Sequence, residues 1–400
     1  MTQLDTEGVL PADALTSVGT RPFGVYVHVP WCSSRCGYCD FNTYVPGALG
    51  ESSPQTFVGD AVAELRMARE LMGERDTPVS TVFFGGGTPT LMPANDLAQV
   101  LAAIDAEFGL VPGAEVTTEA NPESVDPEYF ERLLAAGFTR ISLGMQSASS
   151  DVLATLDRHH TPGRAVAAAT EAQRAGFGEV SLDLIYGTPG ETDNDWNRSI
   201  DAALSASPTH ISAYSLIVEP GTRMAREVAS GALTPADDDV LARRYEVADE
   251  AFTAEGLQWY EVSNWARGGP EGLSTCRHNM GYWHNDDWWG VGPGAHSHVG
   301  NVRWWNHKHP GRCSRSLAAG ELPVAGSETL TATQRRTEDV MLRLRLAEGL
   351  PLDRVMEQRR GELPRLVRDG LVDENQLTHG RVVVTRRGRL LADLVVRTLT

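Results

Sequence analysis

The sequence predicts an α/β protein: a partial (β/α)6 barrel, then an α+β accessory region, then a C-terminal winged-helix-like unit. Three observations predict it. Six short β-rich runs alternate with helical segments over about 200 residues, the pattern of parallel βαβ units. A polar residue stands at nearly every strand end, where a barrel gathers its chemistry. The composition then shifts near residues 255 and 325. The expected divisions are a disordered lead over 1–20, a barrel core over 21–255, an accessory region over 256–325 and the last unit over 326–400.

The strands are read in order as VYVHV (25–29), TVFFGGG (81–87), EVTTEAN (115–121), RISLGMQS (140–147), VSLDLIYG (180–187) and HISAYSLI (210–217). FVGDAVAELRMARELM and PEYFERLLAAGF carry apolar residues at helical spacing. AVAAATEAQRAGF ends at a glycine, a usual helix stop. A longer helix is expected over about 235–254. Beyond it, seven of the nine tryptophans fall between Trp259 and Trp305, and six of the eleven histidines between His278 and His309. After about 325, a helical block, a short turn, RVVVTRRG and a final helix read as the winged-helix-like unit.

A formal net charge of −18 repels phosphate backbones and anionic lipids, so nucleic acid is a poor partner. The tail from Pro351 is the local exception, with ten arginines against seven acids. No apolar run approaches the ~20 residues of a membrane span, so no transmembrane anchor is expected. The first residues lack the basic flank and apolar core of a secretory signal. Five cysteines in a chain of 400 do not make a secreted disulfide scaffold, and a reducing cytoplasm fits better.

Three of those cysteines, Cys32, Cys36 and Cys39, fall within eight residues. Zinc sites usually pair C-x2-C motifs to reach four ligands. A 4Fe–4S cluster normally takes four cysteines. Three thiolates on one tight loop hold three corners of such a cube and leave the fourth iron open. One strand later, Gly85-Gly86-Gly87-Thr88-Pro89 offers backbone groups at close approach, because glycine has no Cβ. A three-cysteine zinc or redox loop is the rival reading of the same residues.

The C-x3-C-x2-C spacing, Tyr38 before the last cysteine, and the glycine run resemble the radical S-adenosylmethionine superfamily. YVHVPWC, FFGGGTPTLM, TTEANPES, ISLGMQS, DLIYGTPGET, YEVSNWA and RHNMGYWHNDDWWGVGPGAHS resemble one branch of it, that of oxygen-independent coproporphyrinogen III oxidase. The likeness runs from about 25 to 395. It implies that Cys32, Cys36 and Cys39 hold a 4Fe–4S cluster and that S-adenosylmethionine chelates the fourth iron. It further implies cofactor contacts at Tyr26, Tyr38, Gly86, Gly87, Thr88, Glu119, Gln146, Arg158 and Asp183.

That branch holds a propionate-decarboxylating oxidase and a group of haem chaperones. The oxidase pattern continues with a cysteine two residues after the third, where this chain has Phe41, and with a longer segment before the first strand. His278-Asn279-Met280-Gly281-Tyr282-Trp283 fits the H-N-x-x-Y-W pattern of the chaperones and implies haem binding. His278 is the expected axial ligand, with Tyr282, Trp283, Trp288 and Trp289 as flat apolar surface. Cys276, His284, His296 and His298 are rival ligands. The resemblance implies a cytoplasmic haem chaperone serving apoproteins such as respiratory enzymes, with a homodimer in the cluster-loaded state. The oxidase is the alternative.

Overall fold

Six of the seven residues of β1, Phe23–Val29, are buried. A strand covered on both faces belongs inside a parallel sheet. Parallel pairing runs from β1 through β2 (Val79–Gly86), β3 (Leu110–Ala120), β4 (Arg140–Gln146) and β5 (Glu179–Tyr186) to β6 (His210–Ser215). These are the six strands read from the sequence. The computed structural model describes residues 15, 18–47, 54–73, 75–270, 272 and 274–400. Most of the expected 1–20 lead therefore lies outside the described residues.

The crossover helices cover the outer face of the sheet. Pro127–Ala136 shows why the sequence sets them where it does. Asp126 accepts a hydrogen bond from the Tyr129 N–H, a proline follows in the first turn, and Gly137 ends the helix in the left-handed region. Phe130 and Leu133 turn inward against the sheet. The helix expected over 235–254 is Asp238–Ala254, capped by Asp237.

Residues 256–325 are built onto both edges of the same sheet. β7 (Leu257–Glu261) and β8 (Asn264–Arg267) extend it beyond β6 in antiparallel fashion. β9 (Asp287–Val291) pairs parallel with β1, and β10 (His296–Val299), β11 (Val302–Asn306) and β12 (Val324–Thr329) continue outward. The barrel is thus the curved centre of a twelve-stranded sheet. Most of the tryptophans concentrated here pack against other rings. Trp289 and Trp304 meet edge to face at 4.8 Å, both almost fully buried.

The last unit has a two-stranded ladder, β13 (Leu350–Pro351) with β14 (Arg381–Val382), among short helices. RVVVTRRG does not run on as a strand. Thr385 caps a new helix, Arg386–Leu390, by accepting from the Gly388 N–H. Two of the tail's arginines are spent on docking. Arg386 and Arg389 pair with Asp249 at 3.2 and 3.1 Å, and Arg389 also stacks over the Trp259 ring at 3.7 Å.

Candidate functional site

The loops that follow the parallel strands surround a cavity of about 690 Å³. The thiol loop follows β1. Its base is tied shut by the Cys32 N–H on the Tyr44 carbonyl (3.0 Å) and the Tyr44 N–H on the Pro30 carbonyl (2.7 Å). Cys32, Cys36 and Cys39 are free, half-buried, and line the cavity. Two already accept hydrogen bonds: Cys32 from the Thr88 hydroxyl at 3.8 Å, Cys36 from the Arg158 guanidinium at 3.7 Å. Burial pushes the Cys39 thiol up to about 11, and charge on the other two thiols adds to the effect. The three sulfurs thus feel one another across the cavity. Among the described residues, no three such side chains gather tightly enough to hold a single metal ion. Three free thiols on one loop, all lining one cavity, are a donor set of the kind a cluster takes.

The glycine run ends β2 beside this loop. A Cβ on Gly87 would lie 2.5 Å from the Trp31 carbonyl oxygen, so only glycine lets the two backbones approach. Gly87 and Thr88 donate to Val29 and Trp31 and lock the run to the end of β1. Glu119 accepts from the Gly86 N–H at 3.0 Å. Burial raises the Glu119 carboxyl to about 7, with help from the nearby Asp183 charge.

β4 ends in strain. Gln146 is a buried non-glycine residue at φ 62°, beyond an irregularity in the β4–β5 register. Backbone of this kind persists where surrounding structure enforces it, often at functional sites. Asp183 accepts from the Ser142 hydroxyl at 2.9 Å, and Ser181 and Ser212 add support. Burial still raises its carboxyl above the usual value. Tyr26 stands on β1 with its hydroxyl 3.0 Å from the His28 ring, and Tyr38 lies among the thiols. All ten residues expected around the cluster and cofactor, apart from the thiols and including His278, line this one cavity.

His278 lies deep in this cavity. It opens the helix Arg277–His284, which plugs the opposite end of the barrel. One ring nitrogen lies 2.9 Å from the Thr81 hydroxyl and the other 2.8 Å from the Tyr282 hydroxyl. The side chain is almost fully buried, and burial drives its imidazole down to about 3, so it is neutral. In this arrangement neither nitrogen is free to meet an iron. H-N-x-x-Y-W here builds the cavity floor: His278 stacks on Phe83 and Tyr282 meets Trp288 edge to face. Three of the four rival ligands are engaged or enclosed too, and the fourth, His296, is exposed and stacks on Trp305. Cys276 is buried and donates to Glu115, His284 pairs with Glu348, and His298 is fully buried.

Sequence reasoning missed the layer that seats this floor. Glu115 accepts from the Arg277 and His278 N–H groups, both at 3.0 Å. Arg140 donates to the Ser274 carbonyl at 2.9 Å, and His210 reaches the Tyr260 hydroxyl at 2.8 Å. Thr81, Arg140, Glu179 and His210 sit at or near the starts of β2, β4, β5 and β6, and Glu115 stands midway along β3 in register with Thr81. A polar or charged residue set in each of these apolar strands was the available signal.

The family model described as the Radical SAM superfamily matches residues 26–203. A protein of Mycobacterium tuberculosis named heme chaperone HemW is 55% identical over 95% of this chain and 95% of its own length. One of the same name from Synechocystis is 34% identical over 84% of this chain and 81% of its own. Among solved structures, the coproporphyrinogen III oxidase HemN of Escherichia coli superposes with a TM-score of 0.80. It covers 98% of this chain and 93% of its own at 22% identity, which speaks to the fold alone.

Proposed function

The chain belongs to the HemW family of the radical SAM superfamily, and on that premise we propose that it binds haem and delivers it to haem-requiring proteins. What carries this reading is the extent of the similarity. It spans nearly the whole chain, thiol loop, floor helix and last unit alike, and the relatives are named heme chaperones.

Within this reading, Cys32, Cys36 and Cys39 hold a 4Fe–4S cluster. The donor set fits, since three free thiols face one cavity and two already accept hydrogen bonds of the kind that stabilise anionic sulfur. When bound, the cluster supplies an electron-transfer centre with one iron open to S-adenosylmethionine. Gly86, Gly87 and Thr88 offer the backbone edge for its methionyl end. Glu119 meets its positive amino group, and Arg158 its carboxylate. Gln146 and Asp183 orient the ribose, while Tyr26 and Tyr38 supply ring surface. Recipients are apoproteins such as respiratory enzymes, reached in the cytoplasm, with a homodimer as the loaded form. No helix among the described residues is long and apolar enough to cross a membrane.

A second reading, the oxidase, is favoured by the completeness of this cavity. One experiment separates the two. The cluster is reconstituted anaerobically, and coproporphyrinogen turnover and haem binding are measured side by side. The chaperone reading expects a stable Soret band and no turnover. Stoichiometric protoporphyrinogen production would sink it.

A further inference from the structure

With both His278 ring nitrogens hydrogen-bonded inside the floor, an exposed imidazole is a readier iron ligand. The open end of the cavity offers one. His159 and His160 stand on the loop after β4, directly beyond Arg158, and both line the cavity. His159 is exposed and makes no hydrogen bond or ion pair among the described residues. His160 is half-buried, and its Nδ1 is enclosed without a hydrogen-bond partner. Burial and the Arg158 charge drive the His160 imidazole down to about 4, so its lone pair is available at neutral pH. A neutral imidazole is the usual axial ligand of haem iron.

Apolar surface surrounds these rings. Phe41, on the thiol loop, is 59% exposed, and Ile217, on the loop after β6, is 65% exposed; both line the same cavity. Exposed large apolar side chains gathered at one opening mark a binding surface. On the same rim the exposed Arg35 makes no ion pair among the described residues. Two apolar side chains, a pair of imidazoles and an unpaired guanidinium match the faces, the iron and the propionates of haem.

We propose that haem docks across the open mouth of this cavity, with the His159–His160 pair supplying the axial imidazole, Phe41 and Ile217 covering the macrocycle, and Arg35 meeting a propionate. The proposal rests on the chaperone reading and deepens it by placing the cargo. It has a mechanical corollary. Haem at the mouth lies over the cavity that the thiols line, so bound haem slows exchange of S-adenosylmethionine.

The test is a haem titration of the full-length, cluster-loaded protein, read by the Soret band, alongside exchange of labelled S-adenosylmethionine with and without haem. The double variant His159→Ala/His160→Ala is expected to lose at least tenfold in haem affinity and to shift the band. Ile217→Asp, at a side chain open to solvent, weakens binding without disturbing the fold. His278→Ala keeps the wild-type spectrum if it folds, as judged by circular dichroism. Wild-type exchange slows at least fivefold with haem bound. A double variant that binds haem with unchanged affinity and spectrum overturns the site, as does exchange indifferent to haem. A wild-type protein that takes up no haem overturns the chaperone reading itself.

Discussion

Gln146 concentrates at one residue the tension between stability and site building. Its left-handed backbone costs on the order of 1 kcal/mol, which glycine would not incur. Gln146→Gly is therefore expected to leave stability within about 1 kcal/mol of the wild type while weakening S-adenosylmethionine binding, as calorimetry of both properties would register. Glu119 makes a different prediction. Its carboxyl is raised to about 7, so the anion that attracts a cation is lost as pH falls below that value. Affinity for S-adenosylmethionine should rise with pH through about 7 and then level off, and equilibrium dialysis of Glu119→Gln should show a flat profile. The thiols and the glycine run were legible in the sequence because each is a contiguous string whose spacing is its chemistry. Gln146 showed its identity there but not its backbone, which is set by an irregular pairing with β5.

At the scale of elements, the floor helix hangs on one carboxylate. Glu115, nearly fully buried, satisfies two N–H groups of Arg277–His284 and accepts from the Cys276 thiol. Its removal orphans buried donors, each worth about 1–3 kcal/mol. Glu115→Ala is expected to destabilise the protein by about 2 kcal/mol or more in denaturant unfolding, and to raise hydrogen exchange in 277–284 before any other element. This explains why the six barrel strands could be read from short β-rich runs whereas the hydrogen-bond partners of His278 could not. Strand patterns are local. The partners of His278, Thr81 and Glu115, lie more than 160 positions away in the chain. Separations of 136 and 140 positions likewise hid the fate of Arg386 and Arg389, which close onto the helix Asp238–Ala254.

Across the whole molecule, buried carboxyls set the response to pH. Glu64 and Glu261 are each raised from 4.5 to about 8 by burial, Glu64 despite hydrogen bonds from Gly292 and Asn306. A folded value above the unfolded one means the native state holds protons that the unfolded chain releases. Their contribution is therefore full below about 4.5 and is lost as pH climbs to about 8. The buried histidines act in the opposite sense up to their unfolded value of about 6.5, so the melting temperature of the metal-free protein should fall between about pH 6.5 and 8, and a rise there would contradict both assignments. The pairing of β1 with β9 bears on how the chain is made. β1 lies between β2 and a strand that begins at Asp287. A ribosome adding ~5–20 residues per second releases Phe23 roughly 10–50 s before its second neighbour exists. Throughout that interval one side of β1 is a bare row of backbone donors and acceptors, open to any passing strand. Nascent chains stalled before residue 287 should therefore be the aggregation-prone species, and release of a few dozen further residues should rescue them.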